Sequence, residues 1–437
     1  TLADDEEDDP DDGGEHWYYF GNKGKKVTDD SKKINGKTYY FNEDGEMLTG
    51  WHQDGDDAFY LGGEDEGWRA ESQWLWLEKS GLDEDDLDDD DDNLEVVLGC
   101  TEDDDCDDEG WYYFQSSGKV YTGANKKKIN GRYYMFNNHG QMLYEWINGA
   151  KVTKGSNAQL DGENPNATPS DVYYMNVVEE GWRADGWYQI DGAEDLGANN
   201  DTDWYYFKDG KAKRAEDTDY NGLMDGSDQV KRAKIKIAGK YFCFNEIGQM
   251  QTGLQAIGNA SQQKTNLYYF DENGYMKTGK ISNVEEENDS FTYYFETKNG
   301  KNGQGVTGEK SGYLYWNGKR LEADDDYKIY KVDGNYYLVN NKGKLQKSTT
   351  KEYELENKDG TQYKFQIGKK NYQIEKITSI NGKTVDIDKA DFASNGLNAS
   401  LPYIELMDSV LYTDGSKNDI KVELASKFNE DTYAVEK

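Results

Sequence analysis

The chain is poor in most of the residues that staple a fold or run a reaction. Three cysteines in 437 residues cannot make a disulfide scaffold. Three histidines, with no Cys/His cluster, argue against structural zinc. No run of 18 apolar residues occurs, so no membrane insertion is expected. Acidic residues outnumber basic ones 87 to 50, a net charge of −37, and no basic stripe stands ready for phosphate. Nucleic acid and anionic lipid surfaces are therefore not the expected partners. There is no G-x-x-x-x-G-K-[ST] loop and no H-E-x-x-H pair. His16, His52 and His139 stand alone beside turns. Among so many carboxylates, one chance Asp/Glu pair would carry no information. No catalytic residue is assigned, and the chain is read as non-enzymatic.

Aromatic residues and glycine are what the chain has instead. Tyrosine alone occurs 35 times although all hydrophobic residues make up only 35%. Such a composition suits many thin, aromatic-rich interfaces better than one thick aliphatic core. With 47 glycines and four prolines, frequent hairpin turns are expected. The signature Trp17-Tyr18-Tyr19-Phe20 recurs at Trp111–Phe114 and Trp204–Phe207, at intervals of 94 and 93 residues. A regular period means a stacked array, and it points to binding at junctions between copies. The expected fold class is all-β: a β-solenoid of tandem short aromatic hairpins, with a C-terminal β cap or small β domain.

The organisation follows from the period. Residues 1–14 read as an acidic flexible leader. Super-repeats are expected at 15–110 and 111–203, with a diverged third at 204–322. Residues 323–437 read as diverged hairpins and a C-terminal β domain. The first super-repeat divides into units at 17–27, 34–51, 58–70 and 73–81. The second repeats 34–51 as 129–146 and 58–70 as 172–184, at offsets of 95 and 114. The difference of 19 is a polar inserted loop, and an acidic insertion precedes Trp111. Insertions are expected to fall between units.

The unit I-N-G-K-x-Y-Y-F-N-x-x-G-x-M-x-T-G-W, here Ile34–Trp51, resembles the cell-wall-binding repeats of Gram-positive surface proteins. That group includes choline-binding modules, glucan-binding repeats of glucansucrases and the carbohydrate-binding repeats of large clostridial toxins. The resemblance covers roughly residues 15–345. It implies a solenoid of hairpins with ligands seated between successive hairpins. It also implies a secreted, cell-surface location and a cell-wall polymer, choline-bearing teichoic acid or glycan as partner. Alternate strand residues share a face, so Trp17 and Tyr19 point one way while Tyr18 and Phe20 point the other. Ring faces around one volume attract a quaternary ammonium or stack on a pyranose. Each aromatic has two readings, packing between hairpins or ligand contact. The ligand candidates are Trp17, Tyr19, Trp51, Trp68, Trp111, Tyr113, Trp146, Trp182 and Trp187. Trp68 and Trp182, in units that repeat without a gap, lead this set. Trp146 follows Glu145 where Trp51 follows Gly50, and Leu254 and Lys280 replace the terminal Trp altogether, so the third super-repeat is expected to have lost sites.

Asp217, Asp219, Asn221, Asp225 and Asp228 stand at positions 1, 3, 5, 9 and 12 of a calcium-type loop, with Gly222 at position 6. The alternative is a solvated Asp/Asn/Gly turn. No cofactor is required, and calcium is the one candidate ion. Cys100 and Cys106 can close a small loop in an oxidising compartment, while Cys243 reads as a buried thiol. The chain starts at Thr1 without Met and is read as a mature part or piece of a longer secreted protein. Two functions are open: non-catalytic wall or glycan binding that anchors a secreted protein, and a stalk or adhesin scaffold that binds a host protein or glycan through its inserted loops.

Overall fold

The computed structural model describes residues 2–3, 15–80, 98, 106–152, 158–160, 162, 167–199, 201–225, 228–259, 264–286, 289–298, 300–417, 420–429 and 434–435. Strands dominate, and the described residues contain no α-helix, only short 3-10 turns. The chain forms two compact units. One comprises residues 1–202 with 206–212, the other 203–205 with 213–437. Both are built from antiparallel hairpins.

Two local devices make each hairpin. Asn-Gly pairs supply the tight turns: Asp30–Ile34 pairs with Lys37–Phe41 through Asn35 and Gly36, at φ 49° and 87°. Asn130 and Gly131, at 49° and 88°, join Ala124–Ile129 to Arg132–Phe136 in the same way. Two successive left-handed residues are what a turn matched to strand twist requires. At three of these strands an Asn directly after the closing Phe then folds the chain back. Asn42 Oδ1 accepts the Glu46 N–H at 2.8 Å, and Asn137 and Asn245 do the same for Gln141 and Gln249. These side chains satisfy backbone donors that the ladder leaves unpaired.

A second lock sets the spacing between hairpins. The Met that follows each such turn lays its thioether on a Gly of a later unit. A Cβ on Gly67 would lie 2.2 Å from Met47 Sδ, and one on Gly181 would lie 2.1 Å from Met142 Cε. Met250 meets Gly274, and Met276 meets Gly303, in the second unit. Alternation holds in the aromatic strands: in Glu109–Phe114, Tyr112 and Phe114 are fully buried while Trp111 and Tyr113 are half-buried. Phe20, at the first copy, is 49% exposed among the described residues.

The hairpins straddle the units expected from sequence. Trp51 opens the hairpin Trp51–Asp54/Asp57–Tyr60 instead of closing the one before it. Gln73–Glu78 pairs with Glu109–Phe114, so the acidic insertion lies within a hairpin. The polar insertion likewise lies between Trp146–Asn148 and Val172–Tyr174. Insertions therefore occur at hairpin tips, where the added chain leaves the ladder intact. The acidic segments 81–97 and 99–105, with Cys100, lie outside the described residues, as do residues 4–14 of the leader. Leu2–Ala3 pairs with Glu15–His16. Cys106 is disulfide-bonded, and Cys243 is a free thiol whose burial pushes its pKa up to about 12.

Among the described residues of the calcium-type spacing, the backbone forms a short turn and a strand hairpin. Asp217–Asp219 is a 3-10 turn, and Tyr220–Asp225 is an extended strand paired with Asp228–Lys231. Asp217 is paired with Lys231 at 2.9 Å, and Asp219 accepts the Glu216 N–H. The side chains of Asn221, Asp225 and Asp228 lie outside the described residues.

In the second unit the tail shares a core with the repeats. Ile404, Leu406 and Leu411 pack with Val284, Tyr293, Phe295 and Trp316. A buried polar knot fastens them: Glu286, whose side chain is 1% exposed, accepts from Lys319 Nζ at 2.8 Å, Tyr293 at 2.7 Å and the Glu405 N–H at 3.2 Å. Burial depresses the Lys319 pKa despite this partner. The tail is thus a cap integrated with the last hairpins.

Two outcomes follow. Gly181→Ala is expected to cost roughly 2–4 kcal/mol, from the left-handed backbone and the collision with Met142; an unchanged urea midpoint would refute the lock. Glu286→Gln, which strands a buried lysine, is expected to cost about 3–5 kcal/mol in the same measurement.

Candidate functional site

The candidate aromatics divide into three groups. Trp51 and Trp146 are structural. Trp51 meets Tyr112 at 4.8 Å and Tyr60 at 5.5 Å between ring centroids, and its Nε1 donates to the Glu78 carbonyl at 3.3 Å. Trp146 is 7% exposed, meets Tyr174 at 5.1 Å and Phe207 at 5.6 Å, and donates to the Asp191 carbonyl at 2.9 Å. Tyr19 stacks on Phe41 at 6.3 Å. These rings close the gap between hairpins, so packing is their role.

Trp68 and Trp182 each carry a cation of the protein itself. Lys37 Nζ lies 3.0 Å from the Trp68 ring centroid, and Arg132 Cζ lies 3.4 Å from that of Trp182. Lys37 and Arg132 hold the same place, immediately after the Asn-Gly turn. One ring face at each Trp is therefore already engaged by cation–π attraction. The following arginines add to the clamp: Arg69 donates to the Tyr40 hydroxyl at 3.0 Å, and Arg183 lies 4.4 Å over Tyr133.

The open group centres on the hairpin Gln73–Glu78/Glu109–Phe114. Its strands send Leu75, Leu77, Tyr112 and Phe114 into one core. By alternation the other face carries Trp74, Trp76, Trp111 and Tyr113. Trp74 and Tyr113 meet edge-on at 5.1 Å, and Trp74 is covered by Tyr134 at 4.8 Å and Phe136 at 5.8 Å. Tyr113 stacks on Tyr121 at 5.6 Å. At the other end Trp76 and Trp111 stand as direct cross-strand partners, 5.5 Å apart and inclined at 74°. Trp76 stays 43% exposed, and its Nε1 donates to Glu109 Oε2 at 2.6 Å. Among the described residues no lysine or arginine covers either ring. The corner offers two near-perpendicular π faces and a carboxylate, the arrangement that attracts an organic cation.

The second copy lacks this corner. Trp187 meets Tyr206 at 5.1 Å, as Trp74 meets Tyr113, but Gln189 stands two residues on where the first copy has Trp76. Trp17 is 48% exposed, and no ring pairing adds a second face to it among the described residues. Trp76 was not among the residues expected from sequence. Its signal was the alternation in QWLWLE, legible once that strand is paired with EGWYYF across the acidic insertion.

The self-clamp has a measurable weight. Arg132→Ala is expected to lower stability by about 0.5–2 kcal/mol, and Arg132→Lys by less, in urea unfolding. Equal losses would assign the effect to guanidinium-specific contacts instead of the ring.

Three segments of the chain match known repeat families. Residues 30–74 match the family model of the choline-binding repeat. Residues 106–120 and 262–276 match that of a putative cell wall binding repeat. No curated protein sequence matches the chain. Among solved structures, the modular autolysin LytC from Streptococcus pneumoniae, in complex with a synthetic peptidoglycan ligand, is 18% identical with a TM-score of 0.36; the match covers 76% of this chain and 51% of that one. Choline binding protein F from the same organism, determined in the presence of a peptidoglycan analogue, is 22% identical with a TM-score of 0.40, covering 79% and 97%. CbpJ from the same species is 20% identical with a TM-score of 0.33, covering 82% and 97%. The likeness to these structures is loose, and this chain spans about half the length of the autolysin. The matched segments, set in a hairpin array, are similar to choline-binding and cell-wall-binding repeats.

Proposed function

We propose that this chain is a non-catalytic wall-binding segment that anchors a secreted Gram-positive protein by holding choline groups of a wall polymer. The observation that carries the reading is the Trp76–Trp111 corner with Glu109 at its edge. A quaternary ammonium has no N–H to donate, so it is held by ring faces and by charge at short range. Glu109 supplies the charge. One such site is weak, and a polymer that presents many choline groups to several copies of the chain would add avidity.

The self-clamped Trp68 and Trp182 bind in this reading only where a ligand reaches the free face or displaces the cation. That places the Trp76–Trp111 corner first.

Calorimetry with choline tests the assignment on the whole chain. Trp76→Ala and Trp111→Ala are each expected to weaken binding roughly 2- to 30-fold, the equivalent of about 0.5–2 kcal/mol per ring. Retention on a choline resin should fall in parallel. Unchanged affinity in the double variant, with its melting transition intact, would remove this corner from the function.

A further inference from the structure

The first unit also holds a cavity of different chemistry, built around residues that differ from their counterparts in the first repeat. It has a volume of about 610 Å³ and lies between Trp146–Asn148/Val172–Tyr174 and the strand Gly186–Asp191. That size suits a small organic ligand. Two departures from the first repeat build it. The inserted loop contributes Leu160 and Gly162 to the wall, and the Gly162 N–H is fastened to Asp195 Oδ2 at 3.0 Å. Glu145 replaces the glycine that precedes the Trp, and keeps the left-handed backbone: φ is 49° at Glu145 and 65° at Gly50. A non-glycine residue there is strained, so this side chain is retained at a conformational cost.

The lining divides into floor and rim. Trp146, Tyr174, Leu160 and Ile190 supply ring and apolar surface. Glu145, Asp191 and Glu194 supply carboxylates, and the described lining contains no lysine, arginine or histidine. Glu145 and Glu194 make no ion pair or side-chain hydrogen bond among the described residues, while Asp191 accepts from Thr202 at 2.6 Å. Tyr174 is the second, independent sign of a ligand. It is 5% exposed and lines the cavity, yet its hydroxyl has no hydrogen-bond partner among the described residues. The ring is held by burial while the hydroxyl, with no partner among those residues, is left to meet whatever fills the cavity. Burial first, and the negative charge of Glu145 second, push the Tyr174 pKa up to about 12, so the hydroxyl stays neutral and can accept from a cation. Burial and the charges of Asp191 and Glu179 also raise the Glu145 pKa, which an incoming cation would reverse.

From this geometry we infer that the cavity binds a primary alkylammonium ligand, with its N–H groups on Glu145 and the Tyr174 hydroxyl and its alkyl chain against Trp146, Leu160 and Ile190. The alternatives are less well served. A quaternary ammonium cannot donate to the hydroxyl or the carboxylates. A metal ion needs converging hard ligands, and no group of three or more acidic, His or Cys side chains among the described residues is close enough to hold one. The inference concerns a site and a ligand class separate from the Trp76–Trp111 corner, and does not rest on that reading.

The test is calorimetric titration of the whole chain with 1,5-diaminopentane, choline and calcium chloride in turn. Saturable diamine binding is expected, together with a drop of at least about tenfold in Glu145→Gly and a smaller drop in Tyr174→Phe. Glu145→Gly restores the residue the sister repeat carries at this backbone conformation, so folding is preserved, and a melting curve checks it. Trp76→Ala should leave diamine binding unchanged, which separates this site from the choline corner. Diamine affinity equal to wild type in a folded Glu145→Gly chain would overturn the inference. So would an absence of saturable binding, or choline or calcium binding that Glu145→Gly weakens more than it weakens the diamine.

Discussion

A two-stranded hairpin has no interior. Each one here is only two to seven residues per strand, and alone it would be marginal in water. Everything else in the molecule answers that constraint. The inward face of one hairpin, such as Tyr112 and Phe114, is covered by the Trp of a hairpin some sixty residues earlier. Burial is thus always a joint property of neighbours. The thioether–glycine contact fixes how close they come, and the Asn-capped turn fixes where the thioether stands.

The same constraint explains how the chain distributes its rings. An aromatic that seals a junction is unavailable to a ligand, and Trp51 and Trp146 are spent in this way. An exposed ring in a protein of charge −37 attracts the nearest basic side chain, and Lys37 and Arg132 occupy Trp68 and Trp182. Ligand capacity is left where a ring escapes both fates. On the open hairpin that ring is Trp76, at the far end from the covering Tyr134 and Phe136. Acidity then serves twice: it keeps an aromatic-rich array soluble, and it leaves few basic side chains to fill the remaining ring faces.

The sequence disclosed the class of fold because its signals are local. Asn35-Gly36, the Asn42 turn and the alternation in Trp111–Phe114 each act within a few residues. It disclosed the sites less well because burial is decided at long range. Nothing near Trp51 announces that Tyr112 will cover it. The pairing that makes Trp76 the partner of Trp111 runs across an acidic insertion, which hid it. The calcium spacing at Asp217 shows the opposite limit: intervals between oxygen-bearing residues say nothing of backbone curvature, and Tyr220–Asp225 pairs with Asp228–Lys231 as strands. The cavity beside Glu145 was visible only as an irregularity, a Glu in a glycine position.

The thioether that spaces the hairpins also makes them sensitive to oxidants. Met47, Met142, Met250 and Met276 each hold sulfur or its methyl against a glycine with no room for even one more atom. Conversion to the sulfoxide adds an oxygen and a dipole at that contact. On the wall-binding reading proposed above, which puts the chain outside the cell, peroxide would therefore act on the array at its joints. Each oxidised joint would separate two hairpins that cannot bury their rings alone, and repair would need a reductase able to reach a protein outside the cell.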